Sequence, residues 1–138
     1  MAKRNVTVTM KDDYEYESVN PSGNKVSIDM YDPDKKQHQS PMDLVLSAVA
    51  SCASVDAVLM MKKKRKTVSG FTVEAEGDRD EGIPAYYKNI HMKFILTSPD
   101  ATEKEFAKVI KLAVDKYCSV SASLNAEITY SSEVKKEA

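Results

Sequence analysis

Cysteine, histidine and glycine are scarce in this chain of 138 residues, which contains two, two and four of them. Two cysteines in a chain that does not open with a basic and then apolar leader argue against a secreted disulfide scaffold, so we expect a cytoplasmic protein. The four glycines are scattered, which excludes a glycine-rich phosphate-binding loop. His38 and His91 lack metal-ligand spacing to a cysteine, so the sequence predicts neither a metal site nor a cofactor.

Neither sign of charge is in excess, since the formal net charge is -1 at pH 7. This balance removes a general electrostatic case for nucleic acid or an anionic membrane as a partner. A local excess of cations runs from Lys62 to Lys66. Because these cations follow a predicted helix, whose dipole favours positive charge at that end, we expect them to be solvated and unnecessary for the fold.

A long stretch of small and apolar residues, from Pro41 to Met61, organises the rest of the chain. Ser40 and Asp43 form an S-x-x-D capping box at its start, and proline suits the first helical position. Nearly every face is apolar or small, so we predict a helix of about 20–25 residues that is buried on all sides. Two aspartates, Asp43 and Asp56, and several internal serines argue against a membrane span.

Alternation of apolar and polar residues predicts the strands. These strands lie at 5–10, 14–17, 26–30, 71–76, 90–96 and 128–130. A second, amphipathic helix spans 102–117 with Thr102 and Glu105 as its capping box, a short third helix covers 119–124, and a charged tail begins at Val134. The sequence therefore predicts one α+β domain over residues 1–138, with antiparallel sheets and the element order βββ-α-ββ-α-α-β.

The long helix needs more cover than the chain offers. A compact chain of this length has a radius of gyration of about 14 Å. One amphipathic helix and small sheets cannot surround an apolar helix roughly 30 Å long. A two-fold partner would supply the missing surface, so we expect a homodimer whose interface buries residues 44–60.

Cys52 in the long helix and Cys118 after the second helix are the residues whose type and position suggest covalent chemistry. The simpler interpretation, that both are small buried side chains, stays open. A reactive thiol needs a pKa below the free value of about 8.5, and the N-terminus of the following helix favours this for Cys118. Asp56, one turn after Cys52, disfavours a thiolate there unless a cation offsets it. From the residues alone we expect Cys118 to be the more acidic thiol. The candidate acids are Asp56 and Asp43, although capping of the helix is the simpler role for Asp43.

Two motifs resemble those of the OsmC/Ohr family of osmotically inducible and organic hydroperoxide resistance proteins, and of its smaller OsmC-like branch in particular. The first is S-P-M-D-L-V-L-S-A-V-A-S-C at 40–52, and the second is K-Y-C-S-V-S-A-S-L at 116–124. The element order matches along essentially the whole chain. The resemblance implies an intertwined, domain-swapped homodimer in which both central helices are buried between two sheets.

The resemblance also implies a function, the reduction of organic hydroperoxides by a thiol peroxidase in oxidative or osmotic stress defence, with a dithiol as reductant. In the family's peroxidases the mid-helix cysteine attacks the peroxide and the later cysteine resolves its sulfenic acid as a disulfide. These roles fall on Cys52 and Cys118 and reverse the acidity ranking above. Two other interpretations remain open. One is an OsmC-like dimer that binds an apolar ligand at its subunit interface, and the other is a protein whose cysteines are only core residues.

The chain departs from the pattern of the family's peroxidases in two places. Those proteins carry a glutamate directly after the proline that starts the helix. This chain has Met42 there, with Asp43 one residue on and about 100° around the helix. They also carry a catalytic arginine in the N-terminal strand and loop region, and residues 5–30 contain none. Lys11 or Lys25 could replace its charge but not its bidentate fork.

Overall fold

The computed structural model describes residues 3–137 and is an α+β fold, as predicted. Within these residues, the strands and helices follow one another in the predicted order. Internal contacts divide the chain into two compact units, with the boundary between Val45 and Leu46. A single domain over residues 1–138 therefore stays a prediction.

The first unit contains a three-stranded antiparallel meander in the order β1-β2-β3. Its strands are β1 Thr7–Asp12, β2 Glu15–Val19 and β3 Lys25–Asp29. Gly23, in the turn before β3, has a φ of 86°, which glycine adopts without strain. Apolar side chains picked out by the alternation, including Val8, Met10 and Val26, remain exposed. The chain itself thus leaves apolar surface of this sheet open.

Asp29, at the end of β3, is fully buried and organises the loop that leads to the long helix. Its carboxylate accepts hydrogen bonds from Lys36 Nζ at 2.7 Å and from the backbone N–H groups of Gln37 and His38 at 2.9 and 2.8 Å. Burial alone would raise the pKa of Asp29, but the hydrogen bonds outweigh it and hold the pKa at about 2. The carboxylate is therefore ionised at neutral pH, and it accepts the hydrogen bonds that these three donors would otherwise make to water.

The long helix, α1, spans Pro41–Lys63. Its predicted capping box is confirmed, because the Ser40 N–H donates to Asp43 Oδ2 at 3.1 Å and the Asp43 N–H donates to Ser40 Oγ at 3.2 Å. Both groups satisfy backbone donors that the first turn of a helix would otherwise leave unpaired. Capping is thus the observed role of Asp43.

One stripe of α1 is buried. It consists of residues at four-residue spacing, Val49, Ala53, Ala57 and Met61. Other apolar side chains of the helix stay accessible, and Val55 and Leu59 are each 59% exposed. A single chain therefore does not bury α1 on all sides, in agreement with the argument that it needs further cover. α1 is also long and apolar enough to span a membrane, a criterion that the core helix of a soluble protein meets as well.

The second unit holds a mixed three-stranded sheet in the order β4-β5-β6. Its strands are β4 Gly70–Arg79, β5 Tyr87–Thr97 and β6 Glu127–Lys135. β4 and β5 pair antiparallel, whereas β6 runs parallel to β5, with Ile128 beside Ile90. The prediction of antiparallel sheets is wrong at β6, because a chain that returns through helices can re-enter the sheet in the parallel direction.

β6 is also longer than the predicted strand at 128–130. Val134, which the sequence assigns to a charged tail, pairs with Leu96 and is 8% exposed. Its N–H donates to Glu103 Oε1 at 3.0 Å, so the start of the preceding amphipathic helix also holds the strand end. These non-local contacts extend a strand whose own residues are largely polar.

The core of the second unit combines β5 with the amphipathic helix α2, which spans Glu103–Leu112. Phe71 contacts the rings of Phe94 and Phe106 edge to face, with centroids 6.2 and 6.0 Å apart. The side chains that β5 and α2 bury almost completely are Ile90, Met92, Phe94, Leu96, Phe106, Val109 and Ile110. The predicted capping box of α2 is present as well.

The second helix does not continue as an α-helix to Tyr117. α2 ends at Leu112 and gives way to one π-helical turn over Ala113–Tyr117. After Cys118, the short helix α3 covers Ser119–Ala122. Since a π turn is uncommon and often occurs at functional sites, its position directly before a cysteine is informative.

α1 ends in a Schellman-type reversal. The Lys66 N–H donates to the carbonyl of Met61 at 3.0 Å, and the Arg65 N–H donates to the carbonyl of Lys62 at 2.9 Å. Arg65 has a φ of 63°, the left-handed conformation that usually calls for glycine at this position. The helix therefore ends on a strained arginine.

The last cation of the run behaves differently from the exposed residues 62–65. Lys66 Nζ lies 3.4 Å from Glu105 Oε1 and 3.2 Å from the carbonyl oxygen of Asp100. The prediction that the whole run is solvated is therefore wrong for Lys66. This side chain ties the end of α1 to the start of α2.

Replacing Asp29 by asparagine should lower the free energy of unfolding at pH 7, because the buried carboxylate has three donors. The folded pKa of about 2 lies below the unfolded value of about 3.9. The stabilisation is therefore complete above pH 4 and is lost as the pH falls towards 2. Urea titrations should show a difference between wild type and Asp29→Asn that shrinks over this range. Asp34→Asn, at an exposed position of the same loop, is the control, and an equal effect there would contradict the assignment.

Arg65→Gly should raise the free energy of unfolding by about 1 kcal/mol, because glycine has no Cβ to strain at positive φ. Urea denaturation measures the change. Lys64→Gly, one residue earlier, is the matched control and should not stabilise the protein. A loss of stability in Arg65→Gly would mean that contacts of the arginine side chain outweigh the backbone strain.

Candidate functional site

The π turn and α3 place Cys118 against the middle of α1. Its Sγ lies 3.8 Å from the carbonyl oxygen of Val49, and the thiol is 3% exposed. The Ser121 N–H donates to the same Sγ at 3.4 Å, so the sulfur also caps α3. Cys118 is thus fixed both by the helix that follows it and by the helix beneath it.

Cys52 lies on α1 three residues after Val49, whose carbonyl Cys118 contacts, and it is close enough to help raise the pKa of the Cys118 thiol. Both cysteines are free, and Cys52 is half-buried where Cys118 is buried. The fold therefore brings near each other the two residues that the sequence singles out for covalent chemistry, although 66 positions of sequence separate them. The S–H of Cys118 has the Val49 carbonyl within reach as an acceptor.

The electrostatics of Cys118 oppose the expectation of an acidic thiol. Burial raises its pKa, and the hydrogen bond and charge of Cys52 raise it further, whereas the N–H groups of Ser121 and Val120 lower it. The net direction is upward. The helix terminus acts in the expected direction, but the expectation of an acidic Cys118 is wrong, because the donors of the single-turn helix α3 do not offset the loss of hydration.

The two candidate acids differ in their surroundings. Asp43 is engaged in the N-terminal cap of α1, as described above, and Cys52 lies nine residues further along the same helix, about 14 Å away. Asp56 is half-buried one turn after Cys52. Of the two, the structure therefore places only Asp56 in the neighbourhood of the cysteine pair.

The arginines of the second unit have other positions and partners. Arg79 donates its Nε to the carbonyl of Ala85 at 2.7 Å, in the exposed hairpin between β4 and β5. Arg65 follows the end of α1, about 20 Å beyond Cys52 along the helix axis. Across residues 3–137, no group of three or more His, Cys, Asp or Glu side chains has an arrangement that would hold a metal ion.

An open groove of about 630 Å³ is lined by sequence neighbours of both cysteines. These are Asp56, one helical turn after Cys52, and Tyr117, the residue before Cys118. Apolar side chains and lysines share its walls, and its lining consists of Asp56, Leu59, Met60, Lys62, Lys63 and Tyr117. This groove could not be predicted from the sequence, because Tyr117 approaches the end of α1 through the π turn. The pairing of an exposed tyrosine with the cationic end of an apolar helix was the available signal.

Comparison with known proteins supports the family resemblance. A family model described as OsmC-like protein matches residues 33–133. Protein YhfA of Escherichia coli strain K12 is 34% identical over 115 residues, which cover 82% of this chain and 84% of that protein. Both matches extend over well more than half of the chain.

Solved structures show the same fold. The chain is similar to a hypothetical protein from Aquifex aeolicus VF5, with a TM-score of 0.88, 28% identity and complete coverage of both chains. It also resembles the organic hydroperoxide resistance protein OhrB of Bacillus subtilis, with a TM-score of 0.63 and 14% identity over 97% of this chain and 98% of that one, a likeness of fold alone. From the family-model match and the identity to YhfA, this chain belongs to the OsmC-like protein family.

Proposed function

We propose that this protein reduces organic hydroperoxides, with Cys52 as the peroxidatic cysteine and Cys118 as the resolving cysteine. The observation that supports this is the contact between two free thiols of unequal exposure. The OsmC/Ohr family includes peroxidase-related proteins, which adds support at the level of the family. We expect the protein to act in the cytoplasm, where reducing systems keep such thiols reduced.

The proposed reaction has three steps. The thiolate of Cys52 attacks the hydroperoxide, an S–O bond forms, the O–O bond breaks, and the alcohol leaves after it takes up a proton. Cys118 then attacks the sulfur of the Cys52 sulfenic acid, and the hydroxyl group leaves as water with the proton of the Cys118 thiol. An external dithiol reduces the resulting disulfide by exchange and is itself oxidised.

The environment of Cys118 suits a resolving cysteine. Burial raises the pKa of Cys118, so at neutral pH it is held in reserve as a thiol that can donate a hydrogen bond to a Cys52 thiolate. Half-buried Cys52 is the sulfur that a peroxide reaches first. The Ser121 N–H at 3.4 Å then stabilises charge on Cys118 when it attacks. One thiol is thus accessible, and the other is protected until the first is oxidised.

We also propose that the active unit is a homodimer whose interface covers residues 44–60 of α1. Proteins of the OsmC/Ohr family are generally dimeric. The exposed apolar side chains Val55 and Leu59 lie in this segment and form an apolar patch of the kind that marks protein–protein interfaces.

A second candidate function is binding of an apolar ligand, and the groove beside Tyr117 favours it. Its volume of about 630 Å³ lies within the usual range for small-molecule sites. Leu59 and Met60 provide apolar contact, while Lys62 and Lys63 suit an acidic group on the ligand. Equilibrium binding of a fluorescent long-chain carboxylate to the Cys52→Ser variant tests this without interference from catalysis. Binding that Leu59→Asn does not weaken would count against the groove.

One equivalent of cumene hydroperoxide should remove both free thiols and give an intrachain disulfide between Cys52 and Cys118. In Cys118→Ser, oxidation should stop at the sulfenic acid of Cys52 and then proceed to sulfinic acid with excess peroxide, because no thiol resolves it. In Cys52→Ser, the buried Cys118 should remain largely unreactive. Thiol titration and intact-protein mass spectrometry measure these species, and steady-state turnover with a dithiol reductant should fall at least 100-fold in Cys52→Ser.

Two outcomes would contradict these roles. If Cys118 is oxidised first in the wild type, the roles of the two cysteines are exchanged. If neither thiol reacts at pH 7 with excess cumene or tert-butyl hydroperoxide, the protein is not a peroxidase and ligand binding becomes the better proposal. Hydrogen peroxide as a parallel substrate separates a preference for organic hydroperoxides from general thiol reactivity.

The double variant Val55→Lys/Leu59→Lys should shift the protein from dimer to monomer, because two charges would be buried in an apolar interface. Sedimentation velocity at micromolar concentration measures the shift. Ala107→Lys, at an exposed position of α2, serves as the control and should leave the sedimentation coefficient unchanged. A wild-type chain that sediments as a folded monomer would refute the dimer.

A further inference from the structure

The π-helical turn Ala113–Tyr117 sets the direction in which Cys118 leaves the second helix. A π turn holds one residue more than an α turn, and one residue corresponds to about 100° of rotation and 1.5 Å of rise. An ordinary α-helical path through this turn would therefore point Cys118 away from the Val49 carbonyl and the Cys52 thiol. The contact between the two cysteines depends on the wider turn.

A side-chain hydrogen bond ties this turn to the sheet. The hydroxyl group of Tyr130, on β6, donates to Asp115 Oδ2 at 2.9 Å. Tyr130 is itself fixed, because β6 pairs with β5 and Tyr130 lies beside Met92 in that register. The other side of the turn is anchored by Ala113 and Val114, which are buried.

We infer that Tyr130 and Asp115 are positioning residues for Cys118, and that their hydrogen bond holds the π turn in the geometry in which the two thiols meet. This inference rests on the proposed peroxidase function for its catalytic meaning, but the geometry it concerns can be measured without peroxide. Neither residue touches the sulfur atoms. They act through the backbone of Ala113–Tyr117.

The chemistry of the pair suits this role. Partial burial raises the pKa of Tyr130, and its hydrogen bond to the Asp115 carboxylate raises it further, so the hydroxyl group remains a donor throughout the pH range of thiol chemistry. Asp115 also lies 3.9 Å from Lys111 Nζ, but both groups of that pair are largely exposed, which makes it a weak anchor. The tyrosine is therefore the partner that fixes the turn.

The equilibrium between the dithiol and the disulfide in glutathione buffers tests the inference. Tyr130→Phe and Asp115→Ala should each shift this equilibrium about fivefold against the Cys52–Cys118 disulfide, the size expected when one net hydrogen bond is lost. Asp115→Asn keeps an acceptor oxygen and should behave like the wild type. Lys111→Gln removes the exposed ion pair alone and should also leave the equilibrium unchanged.

A second readout follows oxidation itself. With excess cumene hydroperoxide, Tyr130→Phe should form more Cys52 sulfinic acid relative to disulfide than the wild type, because a displaced Cys118 resolves the sulfenic acid more slowly. The far-UV circular dichroism should stay the same in all four variants, which shows that the helices are intact. Thermal unfolding identifies any variant that has lost its fold. If Asp115→Ala has lost it, the comparison is between Tyr130→Phe, which lacks the donor, and Asp115→Asn, which keeps an acceptor.

An unchanged disulfide equilibrium in Tyr130→Phe would overturn the inference, and so would an equal loss in Lys111→Gln. A wild-type protein that forms no disulfide even in fully oxidised glutathione would overturn it as well. If the glutathione series behaves as expected but no hydroperoxide reacts, the proposed function is wrong and the positioning role stands.

Discussion

The structure depends on covering one helix. α1 is apolar or small on nearly every face, yet one chain fully buries only the stripe that ends at Met61 and leaves Val55 and Leu59 largely exposed. The buried stripe lets the cysteine after the second helix rest on the carbonyl of Val49 in the middle of α1. The exposed remainder gives the proposed dimer its driving force. The thiol site and the interface are thus two consequences of the same apolar helix.

The two thiols show how burial and a helix terminus compete. Cys118 occupies the N-cap position of α3, where backbone N–H groups favour a thiolate. Loss of hydration acts in the opposite direction and wins, so the pKa of Cys118 is raised. In the proposed reaction the helix terminus still has a use, since its donors are in place when Cys118 carries charge during attack on the oxidised Cys52. A buried N-cap cysteine with a raised pKa therefore fits the second step of that proposal better than the first.

Much of this fold could be predicted because its signals are local. The capping boxes at Ser40 and at Thr102, the alternation in the strands and the order of the elements are all readable over a few residues. The parallel pairing of β6 could not be predicted, since it depends on where the chain returns to the sheet. The π turn was equally hidden, because Ala113–Tyr117 fits a regular amphipathic helix in sequence and departs from it only through tertiary contacts. Asp29 gave no local signal either, since its three donors come from a loop beyond its own strand.

The same distinction applies to the candidate site. The motifs around Cys52 and Cys118 identify both cysteines, but sequence alone cannot show that one thiol is half-exposed and the other buried. That difference follows from the packing of α3 and the π turn onto α1. In the proposed reaction, this difference assigns the first step to Cys52 and the second to Cys118.

The start of α1 limits how this chain could carry out peroxidase chemistry. Asp43 is one residue away from the position of the acid in the family's peroxidases, and its carboxylate accepts the N–H of Ser40 as a helix cap. A carboxylate held in that cap already accepts a backbone N–H, so Asp43 does not simply replace the family's acid. Under the proposed function, the Cys118 thiol is the donor that the chain itself would supply near Cys52. The proposed resolving cysteine would then have a second task, which is to stabilise the thiolate whose oxidised form it later attacks.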